Sequence, residues 1–259
     1  MENFPYFDWR IHGVTRIAAD WGKHKKGTPI RPTIKIKNKS GEITSFEPPR
    51  LHSLSFNLAI DAANEAEKLK SKISFYQMAN GNTKVSEKDL EILYDYFECC
   101  MITVAFSYQA LETLANYIIE KTVKSRYPLK RMKSGKEETQ YLDKKELQRH
   151  VSTDEKLSTV LPEILHIKSP RHTKIWEAYK NLKKIRDAAI HAKPYKFNES
   201  EEDKDSILFL LYYCDPKKIV MNTLELAEFF TREIDEKWWS DKIKTVMNST
   251  EQKDRYFDY

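Results

Sequence analysis

Glycine and cysteine are scarce in this chain, with 6 Gly and 3 Cys among 259 residues. So few glycines argue against a sandwich built on tight turns and leave helix as the default secondary structure. The cysteines, Cys99, Cys100 and Cys214, form no CxxC pair. Adjacent Cys99 and Cys100 leave a helix on different sides, so neither a zinc knuckle nor a disulfide framework is suggested, and a reducing compartment fits. Long apolar runs are also missing: the longest, Ile207 to Cys214, falls far short of the roughly 20 residues of a membrane helix. Residues 1–13 carry acidic and aromatic side chains where a signal peptide would have a basic end and an apolar core. The expectation is a soluble, cytoplasmic protein with no membrane partner. A large excess of one charge is absent too, because 44 basic and 39 acidic residues leave a net +5. An anionic partner is permitted, but only a local cluster of cations would argue for one.

What is present is 40% hydrophobic and 32% charged residues, the balance of a helical globular protein with a heavily solvated surface. The length is near the upper limit for one hydrophobic core, so one main domain with appendages is expected. The divisions are residues 1–50, an N-terminal extension; 51–236, a helical domain; and 237–259, a polar tail with Trp238 and Trp239 as anchors. Within 29–48, Thr33-Ile34-Lys35-Ile36-Lys37 alternates, Asn38-Lys39-Ser40-Gly41 breaks, and Glu42-Ile43-Thr44-Ser45-Phe46 resumes, which reads as a β-hairpin. A lone two-stranded ribbon is marginal, so it should lie on the helical body or complete a sheet in a partner chain. The fold class is therefore mainly all-α with an N-terminal β-hairpin appendage.

Residues 51–78 are helix-permissive. After the Ala79-Asn80-Gly81-Asn82 break, Ser86 with Asp89 starts the strongest helix, whose apolar residues Leu90, Leu93, Phe97, Met101, Val104, Tyr108, Leu111, Ala115 and Ile118 step by three and four. Residues 124–136 read as a basic loop. Ser152 and Glu155 supply a capping signal for a short helix ending near Ile164, and Ser169-Pro170 begins a helix running to about Ala192. Ile207 to Cys214 reads as a buried strand or a helical turn, and Asn222 as the cap of a helix through Glu233.

Chemistry concentrates in the helix that ends near Ala192. Tyr179, Leu182, Arg186 and Ala189 follow helical spacing, which places Arg186 on an apolar stripe, where a guanidinium is costly unless paired. Pro194 disfavours helix at Lys193, so His191 falls in the last turn, where the negative helix end favours imidazolium. Asp187, four residues earlier on the same face, can orient the ring. An Arg for phosphate charge, a His for proton transfer and an Asp to hold the His suit phosphodiester cleavage. The residues alone leave a second reading open, with Arg186 in a core-edge salt bridge and His191 as a helix cap. In a chain with this many Arg and His, an Arg-x(4–6)-His spacing arises about once by chance.

Context extends the motif. Arg186-Asp187-Ala188-Ala189-Ile190-His191 resembles the Arg-polar-x-x-x-His signature of HEPN (higher eukaryotes and prokaryotes nucleotide-binding) domains. Two upstream segments are similar to the same family: Phe106 to Tyr117, carrying Ala110-Leu111-Glu112 and Asn116, and Asp154 to Leu165. The resemblance covers roughly residues 90–195. It implies a HEPN-like helical bundle that dimerises so that two Arg-His signatures line one cleft. It also implies a metal-independent ribonuclease, without cofactor, acting on RNA in toxin or antiphage defence, with an antitoxin or defence protein as a further partner. Glu112 and Asn116 lie four apart at the edge of the buried stripe, and Glu112 is the candidate partner of Arg186. The candidate catalytic set is thus Arg186, His191, Asp187, Glu112 and Asn116, with no metal ligands. Lys130, Arg131 and Lys133 are the candidate RNA-binding cations, joined by Lys23, Lys25, Lys26, Arg31 and Lys35. Asp187 stands where the family often has Asn, and Lys193 where some relatives have Tyr. The alternative is a noncatalytic HEPN module that binds a nucleotide or a protein.

Overall fold

The computed structural model describes residues 10, 15–16, 19–20, 22, 24–30, 33–81, 83–133, 135–191 and 206–232. It is mainly helical, with a small N-terminal β-hairpin. Helix α1, Leu51–Lys70, and the 33-residue α2, Leu90–Thr122, form the backbone of the core. They run antiparallel: His52 near the start of α1 meets Tyr117 late in α2, while Lys70 at its end lies over Tyr96. Close approach is possible because α1 presents Ser53, Ala59, Ala63 and Ala66, all buried, to α2. Helix α8, Pro216–Thr231, packs on both, burying Val220, Leu224, Ala227 and Phe230. Among the described residues no helix is long and apolar enough to cross a membrane.

The long α2 emerges as expected, but its buried face turns along its length. Val104, Tyr108, Leu111, Ala115 and Ile118 are buried, whereas Met101 is 43% exposed and Tyr96 and Cys100 take the inward positions one turn earlier. The expected helix over 51–78 stops at Lys70. Phe75–Gln77 (β5) pairs with Thr83–Val85 (β6), and Asp89 accepts a bond from the Ser74 N–H instead of capping α2. The N-terminal hairpin forms from Ile34–Lys37 (β3) and Ile43–Phe46 (β4), with every residue exposed. It stands clear of the described helical body. A further short pair, Thr15–Arg16 (β1) with Pro29–Ile30 (β2), precedes it.

Residues 124–136 are not a loop. Tyr127–Lys133 (β7) pairs with Lys136–Leu142 (β8), and buried Tyr127 and Leu129 alternate with exposed Pro128 and Lys130. Gly135, at φ 79°, supplies the backbone shape the two-residue turn requires. Helix α3, Lys144–His150, follows from a complete Asp143/Glu146 capping box. Ser152 then caps a continuous helical run of α4, Thr153–Glu155, a π-helical stretch, Lys156–Val160, and α5, Leu161–Leu165. The signature helix α6 spans Lys174–Ile190 and is capped by Thr173, because Ser169 spends its hydroxyl on the Ser158 carbonyl. Ile207–Tyr213 is a two-turn helix, α7, with only Leu211 buried. Asn222 sits inside α8, which starts earlier because Asp215 caps it and Pro216 takes the first helical position. Trp238, Trp239 and the tail over 237–259 lie outside the described residues.

Candidate functional site

Helix α2 presents Tyr108, Glu112, Asn116 and Glu120 at successive four-residue steps, one row along its surface. Helix α6 crosses this row with Tyr179, Lys183 and Arg186, and the run from α4 to α5 closes it with Asp154 and Lys156. Arg186 is half-buried and doubly held. Its guanidinium carbon lies 4.4 Å from the Tyr108 ring centroid, and its Nη1 donates to Asp187 Oδ1 at 2.8 Å. Burial opposes its charge, but the Asp187 bond and the nearby acidic groups, Glu112 among them, outweigh it and raise its pKa. Glu112 therefore acts on Arg186 through space, and Asp187 is the direct partner. This changes the role expected for Asp187, whose carboxylate clamps the guanidinium rather than the His191 ring.

Beside this, Tyr108 stacks on Tyr179 at 6.2 Å and 17°. Tyr179 donates its hydroxyl to Asp154 Oδ1, and Lys183 Nζ donates to Asp154 Oδ2 at 2.5 Å. The hydrogen bond to Asp154 raises the Lys183 pKa against the opposing effect of burial. Lys156 is 1% exposed. Its Nζ donates to Asn116 Oδ1 at 2.8 Å and to the Gln148 carbonyl at 2.7 Å. Burial lowers its pKa, and the charge of Glu112 works the other way. Because an ammonium only donates, it fixes the Asn116 oxygen inward and leaves the amide NH2 as the free face. A buried lysine on a π-helical turn is a costly arrangement of the sort that gathers at functional sites.

No protein-family model, curated protein or solved structure matches this chain. The site is therefore read from its own geometry. His191 is exposed at the end of α6, its N–H bonded to the Asp187 carbonyl at 2.9 Å. Arg186 borders a shallow apolar depression of about 250 Å³ with Met101, Ile102, Phe106 and Ile190. His191 is not among its lining residues. The structure thus brings Arg186, Asp187, Glu112 and Asn116 to one polar seam, and leaves His191 at its open end.

The basic segment is largely neutralised from within. Arg131 makes a two-point pair with Glu155 at 3.1 and 2.5 Å, and Lys130 pairs with Glu137 at 3.3 Å. The Lys133 side chain, like Lys23 and Arg31, lies outside the description, and Lys25 is bonded to Asp20. Among the described residues, no group of three or more His, Cys, Asp or Glu side chains is placed to hold a metal ion. Sequence reasoning missed Lys156, Asp154, Tyr179 and Lys183 as site residues. One signal was available: Lys156 precedes Leu157 and sits four before Val160, an apolar-face position for a lysine.

Proposed function

We propose that the chain is a metal-independent endoribonuclease of the HEPN type, cytoplasmic and homodimeric, with a toxin or antiphage-defence role. The observation that carries this reading is Arg186 itself: a guanidinium fixed by a ring on one side and a carboxylate on the other, one helical turn from an exposed His191. A cation held this way can meet the charge that gathers on nonbridging phosphate oxygens without reorganising. An exposed imidazole at a helix C-terminus can carry the proton between the 2'-hydroxyl and the leaving oxygen. Asn116, with its NH2 left free by Lys156, and Glu112 complete the polar wall.

The dimer finds support in the same neighbourhood. Met101, Ile102 and Ile190 are 40–58% exposed around Arg186, an apolar shelf unusual for a solvated helix face. A second copy on this shelf would bring its own Arg186 and His191 to the first, joining groups that one helix aims about 140° apart. RNA is the substrate in this reading, and an antitoxin or defence protein the regulating partner.

The alternative, a noncatalytic HEPN module that binds a nucleotide or a protein, is favoured by one observation. In a single chain, His191 faces solvent outside the depression that Arg186 borders. An RNA-cleavage assay comparing the wild type with His191→Ala separates the two. Cleavage lost in the variant supports the ribonuclease; a wild type that binds RNA or nucleotide without cutting supports the module.

A further inference from the structure

Two cysteines more than a hundred residues apart meet in the core, away from the seam around Arg186. Tyr96 Oη and Cys214 Sγ both donate to the Leu211 carbonyl, at 3.4 and 3.1 Å. Cys100 lies one turn beyond Tyr96 on the same face of α2, is fully buried, and hydrogen-bonds with the Cys214 thiol. The two differ in access. Cys214 lines a cavity of about 230 Å³ between α6, α7 and α8, walled also by Tyr213, Asp215 and Lys218, and Cys100 sits behind it.

The surroundings select which sulfur reacts. The hydrogen bond from Cys100 lowers the Cys214 pKa, burial opposes, and the charge of Lys70, whose Nζ is 5.5 Å from the Tyr96 ring centroid, lowers it further. Cys99 is pushed up to about 11, by burial first and then by Glu65, Asp95 and Glu98. Thiolate character, the determinant of nucleophilicity, therefore favours Cys214 and disfavours Cys99.

We propose that Cys214 and Cys100 form a peroxide-reactive dithiol, in which a small hydroperoxide entering the cavity oxidises Cys214 and Cys100 closes a disulfide tying α2 to the joint of α7 and α8. The Cys214 thiolate attacks one peroxide oxygen and the O–O bond breaks. The leaving hydroxide takes a proton as water, and Cys214 becomes a sulfenic acid. The Cys100 sulfur then attacks the Cys214 sulfur, the S–O bond breaks, and the departing hydroxide takes the Cys100 proton as a second water. The dithiol gives up two electrons and the peroxide accepts two. Because α7 and α8 both pack on α6, the link stiffens the support of the signature helix.

The test treats the folded full-length chain with hydrogen peroxide, blocks free thiols, and maps peptides without reductant. The expected product has lost two hydrogens and joins Cys100 to Cys214, is reversed by dithiothreitol, persists in Cys99→Ser and is absent in Cys214→Ser. Amide exchange over 207–220 should slow roughly tenfold or more in the oxidised chain. Thiols that react only in denaturant, a bond from Cys99 or between chains, or Cys214 sulfinic acid without a cross-link would each overturn the proposal. Fragment ions from the wild-type link distinguish Cys99 from Cys100 even if a serine variant fails to fold.

Discussion

Arg186 rests over the ring of Tyr108, 4.4 Å from its centroid, and Tyr108 in turn stacks on Tyr179. The guanidinium is thus aimed by an aromatic pillar that spans α2 and α6, and the pillar is itself anchored where Tyr179 bonds Asp154.

Tyr108→Ala should remove that pillar. Tyr108 is 7% exposed, so the lost packing should cost about 3 kcal/mol, and the cation–ring contact up to about 2 kcal/mol more. Urea denaturation is expected to report the destabilisation and RNA cleavage a further loss. Tyr108→Phe keeps the ring face and should fall between the two. Equal stability of wild type and Tyr108→Ala would remove the pillar from the account.

His191→Ala and Arg186→Ala should separate chemistry from folding. The His191 side chain is exposed, so its loss should change stability by less than about 0.5 kcal/mol while lowering cleavage roughly 100-fold or more. Arg186→Ala should cost about 1 kcal/mol through its ring and Asp187 contacts, with far-UV circular dichroism still helical. Retained cleavage in either variant removes that residue from the mechanism.

Lys156 makes a prediction about pH. Its folded pKa is lowered from 10.5 by burial, so at neutral pH the folded state carries a charge it disfavours relative to the unfolded chain. Between the lowered folded pKa and 10.5 the unfolded state holds more protons, and this group's contribution to stability rises with pH across that window. Lys183 runs oppositely, because its folded pKa is raised: its contribution is complete below the unfolded value and lost as pH climbs through the folded one. Urea titrations at several pH values from 7 to 10.5 should therefore show wild type gaining on Lys156→Met as pH rises. A constant difference between the two would mean that Lys156 does not titrate there.

Much of this site was written in helical spacing, and the part that was not has a physical reason. The α2 row and the signature helix were legible because periods of three and four residues survive any surface charge. The hairpin around Gly135 was hidden because Lys130 and Arg131 beside Leu129 look like a basic loop, although Tyr127 and Leu129 alternate as in a strand. Lys156 was passed over because lysine is ordinarily solvated. Its burial depends on Asn116, 40 residues away, and on the Gln148 carbonyl, neither of which spacing reveals. Asp187 was read four residues forward to His191, but the shorter reach to adjacent Arg186 is the one made.

The apolar shelf should hold two copies together. Light scattering is expected to give a mass near twice 30.6 kDa, and Ile190→Glu, at a position 58% exposed, should yield a folded monomer with little cleavage. A wild-type monomer with full activity would refute the shared cleft.

The final prediction concerns the chemistry. With Arg186 meeting phosphate charge and His191 moving the proton, the attacking group is the substrate's own 2'-hydroxyl, and the reaction needs no activated water. Cleavage should therefore survive EDTA. The 2'-oxygen should bond to phosphorus as the 5'-oxygen leaves, giving a cyclic 2',3'-phosphate or its hydrolysed form, which mass spectrometry of the products would identify. Deoxyribose at the cut site removes the nucleophile, so that RNA should remain intact and single-stranded DNA should be inert. A water-activating metal predicts the opposite pattern: activity lost with EDTA, restored with magnesium, and indifferent to the 2'-hydroxyl. That outcome would leave the positions of Arg186 and His191 untouched but would take from them the roles proposed here.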